Sequence, residues 1–351
     1  MKKPLIAFIA VIAVGAAAQA LVKKSTQKET NMSGVAASYD VCNTSLIYDE
    51  KGGYSYSLPK GVMEKFLSGA EFGNKPYTES ELALLREDIN ALFQTILSEN
   101  PIKAKEAVLT AGAPGAGKTI KMRQDLAENG AEGRIFAYID PDDVALQSMA
   151  RTYQADIEGG QETFEERRDA YNKWRPGSNA AAHLILANLI REEYAFYFGT
   201  TSSGPATGKF FEFIKNQGYH LRLIHVTAPD DVRWESIKER DKTFVQTTEE
   251  DVRQKGDLLP QRITDTFLKY ADEIEFCYRD GVHQDAQLAA KWHRNENPAE
   301  VLGTLEIVSS PRYEQIKGIH NAVVKVLNRP ELLWEETVEK NSKIIEEGSK
   351  I

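Results

Sequence analysis

The sequence is poor in cysteine and histidine and has no surplus of positive charge. Its two cysteines, Cys42 and Cys277, stand far apart and form no CxxC pair, so they cannot by themselves build a zinc site. Six histidines without an HExxH arrangement leave a zinc-protease reading nothing to rest on. Lys and Arg total 43 against 52 Asp and Glu, a net charge of −9 with a pI near 5.4. Such a chain has no general attraction to DNA, RNA or anionic lipid, and no nucleic-acid partner is expected. Beyond residue 24 no apolar run approaches the length of a membrane span, and neither internal repeats nor low-complexity tracts occur. What is present is 351 residues, 42% apolar and 27% charged, enough for one large core or two modest ones without staples.

The amino terminus departs from this pattern. Lys2 and Lys3 form a basic start, Pro4–Ala18 is an apolar stretch, and Ala18-Gln19-Ala20 has the form of a signal-peptidase site. Residues 1–20 therefore read as a signal peptide for export, periplasmic or secreted. An uncleaved inner-membrane anchor is the alternative, because apolar character reaches Val22. Membrane contact is expected only through this segment. Residues 21–60 are polar and read as a flexible lead-in. In an exported chain Cys42 and Cys277 have the opportunity to pair; two free thiols are the alternative.

Strand and helix signals then alternate. Thr78 and Glu81 form a capping box before Leu82, Leu85, Ile89, Leu92, Phe93, Ile96 and Leu97, one apolar helix face ending near Asn100-Pro101. Short apolar runs at Ala107–Thr110, Ile135–Ile139, Tyr194–Phe198, Leu221–Val226 and Ile274–Tyr278 read as buried strands, separated by helices that include Ala180–Glu193, Lys209–Asn216 and Asp230–Glu239. Continuous apolar strands between helices predict an α/β fold, a largely parallel five-stranded sheet covered on both faces. The expected domain spans residues 61–285. Residues 286–351 form an extension packed on it: a hairpin at Gln287–His293 and Val301–Val308, a helix from Pro311 to Leu327, and a charged terminal helix at Glu331–Glu347.

The sharpest motif is Gly112-Ala113-Pro114-Gly115-Ala116-Gly117-Lys118-Thr119, which satisfies G-x-x-x-x-G-K-[ST]. Small residues let backbone amides curl around a phosphate, and the following helix points its positive end at it. In that arrangement Lys118 reaches the β- and γ-phosphates and the Thr119 hydroxyl ligates Mg²⁺, so the loop is expected to bind ATP. Ile139-Asp140-Pro141-Asp142-Asp143 places carboxylates at the carboxyl end of the next strand, the edge where open α/β sheets bind ligands. Asp140 and Asp142 are candidates for holding Mg²⁺ or for taking the proton of an incoming hydroxyl; capping of the next helix is the alternative. Gly199-Thr200-Thr201-Ser202-Ser203-Gly204 offers hydroxyls, Thr200 and Thr201 foremost, to a substrate at the same edge. Lys238, Arg240 and Lys242 at a helix end, with Arg253 beyond a second capping box at Thr247 and Glu250, are cations able to neutralise charge on a transferred phosphoryl group. Complementing a helix dipole is their structural alternative.

The ordered set GAPGAGKT, YIDPDD, FGTTSS and APDDVRWESIKER resembles the zeta toxin family of P-loop kinases over roughly residues 100–285. The resemblance implies a nucleoside-monophosphate-kinase-type fold of three layers, ATP and Mg²⁺ as cofactors, and an antitoxin or inhibitory partner. It also implies phosphorylation of a small metabolite; the better-known members act on the 3′-hydroxyl of UDP-N-acetylglucosamine. By position, Lys118 and Thr119 match the ATP and Mg²⁺ residues and Asp142 the catalytic base. Thr200 matches the threonine of a Glu-Gly-Thr motif, and Arg240 and Arg253 match two lid arginines. Two departures count against the familiar substrate. Phe198 stands where the family has an acid, and Asn179-Ala180-Ala181-Ala182-His183 carries no carboxylate at the matching turn. Export also conflicts with the chemistry, since ATP is scarce outside the inner membrane. An NTPase and a nonenzymatic binding domain with a relic loop are the alternatives. Asn172-Lys173 is followed by Trp174-Arg175 and gives no guanine-reading motif.

Overall fold

The computed structural model describes residues 76–158, 163–241, 255–256, 258–297, 301–326 and 334–347. The signal-peptide, lead-in and Cys42 assignments, the second capping box, Lys242 and Arg253 lie outside the described residues. Helix α1 (Glu79–Ser98) begins at the expected capping box: the Thr78 hydroxyl accepts from the Glu81 amide and the Glu81 carboxylate accepts from the Thr78 amide, at 3.3 and 2.8 Å. Its Leu85, Ile89, Leu92, Phe93 and Ile96 are all buried.

Five strands follow with helices between them: β1 (Glu106–Ala111), α2 (Lys118–Ala131), β2 (Ala137–Ile139), α3 (Tyr153–Glu158), α4 (Phe164–Arg191), β3 (Phe196–Phe198), α5 (Thr207–Asn216), β4 (His220–Thr227), α6 (Asp230–Asp241), α7 (Leu259–Arg262) and β5 (Glu273–Tyr278). They pair in the order β2-β3-β1-β4-β5, all parallel. Both faces are covered, which is why the strands read as unbroken apolar runs. Val108, Tyr197, Ile224, Val226 and Cys277 pack with Met122 of α2 on one face. Leu109, Phe196, Phe198, Leu223 and Phe276 pack on the other with α1, α4, α5 and α8 (Ser310–Val326). Cys277 is a free, buried thiol, pushed up to about 12 by burial.

The expectation of a five-stranded sheet is corrected to eight strands, of which those five are the parallel part. The open edge of β5 is taken by an antiparallel hairpin, β6 (Gln287–Arg294) and β7 (Gly303–Ile307), and β8 (Ser342–Ile345) adds parallel to β7. Pairing an otherwise open edge satisfies its backbone groups. The terminal helix expected over Glu331–Glu347 is instead one wide turn, Glu335–Glu339, followed by β8. Its acidic composition reads as a solvated helix, but Ser342-Lys343-Ile344-Ile345 finds a strand partner.

Helix α4 starts well before the expected Ala180 and carries Pro176 inside it. Proline removes a donor and normally breaks the ladder. Here the Tyr77 hydroxyl enters the gap, donating to the Lys173 carbonyl at 2.6 Å and accepting from the Gly177 amide at 3.0 Å, while its ring stacks on Trp174 at 5.1 Å. Among the described residues no helix is long and apolar enough to cross a membrane.

A column of rings ties the carboxyl-terminal extension to the sheet. His225 of β4 stacks on His320 of α8 at 5.3 Å, and His320 lies nearly flat on Trp334 at 5.1 Å. Burial pushes the His320 imidazole down to about 4, and His225 well below its ordinary value. Between about pH 6.5 and 4 the unfolded chain therefore binds a proton at His320 that the native chain refuses, so stability falls as pH falls through that window, and His225 acts in the same direction. We expect His320 alone to cost the wild type about 2 kcal/mol near pH 5, and His320→Gln to lose less stability across the same range in thermal melts. Identical pH slopes for the two proteins would contradict this.

Candidate active site

The loop 112–119 joins β1 to α2 at the carboxyl edge of the sheet. At this point the chain first runs out to β2, returns to β3, and crosses β1 to reach β4, the reversal of order that opens a crevice in such sheets. Gly117 is the N-cap of α2 and supplies no side-chain cap, so the first-turn amides are left for an anion. Gly115 has φ +79°, and a Cβ there would collide with the Arg233 carbonyl. Lys118 Nζ spans the loop and donates to the Ala113 carbonyl at 3.0 Å. These features fit a polyphosphate.

The three aspartates after β2 have separate fates. Asp140 is buried and caps the wide turn Pro141–Leu146: its Oδ1 accepts from the amides of Asp142 and Asp143 at 2.8 and 3.0 Å. This is the capping alternative raised from sequence, yet Asp140 is also the carboxylate that most strongly supports the Lys118 charge. Burial and the Asp142 carboxylate push Asp140 up to about 7, against the two amides. Burial pushes the Lys118 ammonium down to about 7; Asp140 pulls it back up, while Arg240 and Lys255 add to the depression. Asp143 is taken by Arg123 at 2.5 Å and by the Tyr138 hydroxyl at 2.8 Å. Asp142 keeps a third of its side chain exposed and meets Arg175 at 2.8 Å and the Tyr171 hydroxyl at 3.3 Å.

The loop after β3 is stitched to the phosphate loop. Thr110 Oγ1 donates to the Thr200 carbonyl at 2.7 Å and accepts from the Thr200 amide at 2.9 Å; the Gly112 amide donates to the Thr201 carbonyl at 3.1 Å. Thr200 Oγ1 accepts from the Ser202 amide at 3.2 Å, and Thr201 Oγ1 shares a hydrogen bond with Ser203 at 3.0 Å. Both threonines thus shape the loop. Phe198 is buried against His183 and Phe210, at 5.7 and 5.8 Å, and fills the core. Arg240, in the last turn of α6, is half-buried and acts electrostatically on Lys118 and on the Tyr171 hydroxyl. Lys238 pairs with Glu235 at 2.6 Å on the surface.

The structure therefore brings Lys118, Asp140, Asp142 and Arg240 together and adds residues that no motif announced. Lys255 contributes charge at Lys118, and Gly256 beside it lies against Ala113. Arg279, buried just after β5, donates to the Gly115 carbonyl at 3.0 Å, to the Gln284 carbonyl at 3.0 Å and to the Val282 carbonyl. It braces the phosphate loop from behind. Replacing Arg279 by Met should leave three carbonyls without that donor, loosen the loop and weaken Mg-ATP binding roughly tenfold or more by calorimetry. Unchanged affinity would reduce Arg279 to a fold contact.

A family model described as Zeta toxin matches residues 90–271, more than half of the chain. No match is found among curated proteins. Among solved structures, the chain is similar to the PezAT chromosomal toxin-antitoxin system of the human pathogen Streptococcus pneumoniae, with 16% identity and a TM-score of 0.45 over 74% of this chain and 98% of that one. It is also similar to AvrRxo1-ORF1:AvrRxo1-ORF2 with sulphate ions, with 15% identity and a TM-score of 0.46 over 83% of this chain and 93% of that one. A related structure, AvrRxo1-ORF1:-ORF2 with ATP, gives 16% identity and a TM-score of 0.45 over 76% and 80% of the two chains. On the extent of the family match, the chain belongs to the zeta toxin family.

Proposed function

We propose that the protein is an ATP-dependent phosphotransferase that moves the γ-phosphoryl group onto a hydroxyl of a small metabolite. The observation that carries this reading is the meeting of a phosphate-loop lysine with the Asp140–Asp142 carboxylates at one sheet edge. Lys118 and the amides of the 112–119 loop bind the phosphates. Thr119 and Asp140 are the oxygens that would hold Mg²⁺, which when bound neutralises charge across the β- and γ-phosphates. Asp142 takes the acceptor proton as the new O–P bond forms, and the leaving oxygen departs with ADP. Arg240 and Lys255 offset charge growing on the transferred group, with Arg253 as the second lid arginine by family position.

Phe198 argues for an acceptor other than the nucleotide sugar. A phenyl ring packed in the core cannot accept the hydrogen bonds that a carboxylate would, so activity on UDP-N-acetylglucosamine is expected to be weak or absent. A protein antitoxin enters this proposal through family membership alone. Export directed by residues 1–20 belongs to it as well, and the ATP requirement then sets the reaction in an ATP-containing compartment.

The test is to incubate the protein with Mg-ATP and a metabolite extract and search by mass for a gain of one phosphoryl group. One product is expected, lost with Lys118→Ala. Asp142→Asn should retain ATP binding while slowing transfer by about 10²–10⁴-fold. ADP release without a phosphorylated acceptor would favour an NTPase. Equal transfer by wild type and Asp142→Asn would remove Asp142 from the role of base.

A further inference from the structure

We propose that Arg175 is a positioning residue that sets the orientation of the Asp142 carboxylate, an inference resting on Asp142 as the base. Arg175 lies within α4, one residue before Pro176, and its guanidinium is largely buried. Nε sits 2.8 Å from Asp142 Oδ1 and 3.1 Å from the Tyr171 hydroxyl, which itself donates to the same Oδ1 at 3.3 Å. Nη1 is held by Asn179 Oδ1. Ser178, on the same helix, donates to the Pro141 carbonyl. Tyr171, Arg175 and Ser178 therefore stand at i, i+4 and i+7, a polar stripe where α4 passes from its exposed first turns into the core, and all three engage the turn that carries Asp142.

The contacts are asymmetric. Oδ1 is engaged twice, whereas Oδ2 has no hydrogen bond among the described residues, and a third of the side chain stays exposed. Asp140 fixes the backbone of the same residue from the other side. The carboxylate is thus held by one oxygen and presents the other. A general base needs that arrangement, since it must meet the acceptor proton within hydrogen-bond reach and a misplacement of about 1 Å costs roughly a hundredfold in rate. Burying a guanidinium merely to neutralise a surface-facing carboxylate would be poor value in stability.

The full-length wild type, Arg175→Gln, Arg175→Lys and Tyr171→Phe are compared by two readouts. The first is the ¹³C carboxyl resonance of Asp142, identified as the signal lost in Asp142→Asn. The second is formation of the phosphorylated product from Mg-ATP and the metabolite extract. Arg175→Gln should move the Asp142 resonance and lower kcat by roughly a hundredfold while leaving KM for ATP within about twofold. Arg175→Lys keeps the charge but loses the fork, and should restore the resonance in part and kcat only weakly. Tyr171→Phe, which removes one donor and no charge, should move the resonance in the same direction by less; it decides the matter if Arg175→Gln does not fold. An unmoved Asp142 resonance would overturn the proposal, as would a raised KM with kcat unchanged. A wild type that forms no phosphorylated product would instead count against the phosphotransferase reading, with the resonance still deciding whether Arg175 sets the carboxylate.

Discussion

The buried carboxylate of Asp140 is the constraint on which the site depends. One oxygen ties down the amides of Asp142 and Asp143 and so fixes the turn after β2. The other lies so close to Gly199 that any Cβ there would collide with it, which draws the loop after β3 against the same point. Its charge faces Lys118. Three segments remote in sequence thus converge on a single group, each for a different electrostatic or steric reason. A carboxylate this poor in solvent would be costly alone; the amides and the lysine make it tolerable.

Behind this edge the extension after β5 supports the same machinery. Arg279 holds the Gly115 carbonyl, and the His225–His320–Trp334 column anchors α8 and the turn after it against β4. His225 is also within electrostatic reach of Lys118. The phosphate loop is therefore braced by Arg279 from just beyond β5, while the ring column fixes α8 to the sheet.

Much of this was legible in the sequence. The capping box at Thr78, the five parallel strands and the phosphate loop each rest on local chemistry that leaves a period or a fixed spacing. The first half of α4 was not legible, because Pro176-Gly177 reads as a break and its repair comes from Tyr77, about a hundred residues away in the chain. Arg175, Lys255 and Arg279 left no signal either: each acquires its meaning from a partner brought in by tertiary folding. Asp140 was readable as either a cap or a ligand, and the fold shows why both suggested themselves, since it caps a turn while facing the lysine of the phosphate loop.

The central claim is that Lys118 and Asp142 act on the same phosphoryl group. A crystal structure of the protein with Mg²⁺ and a nonhydrolysable ATP analogue tests this most directly. The account predicts the β- and γ-phosphates in the 112–119 loop, Lys118 on their oxygens, and the free oxygen of Asp142 facing the terminal phosphate across a gap sized for a hydroxyl. A terminal phosphate directed away from Asp142, or a nucleotide bound outside the loop, would contradict it.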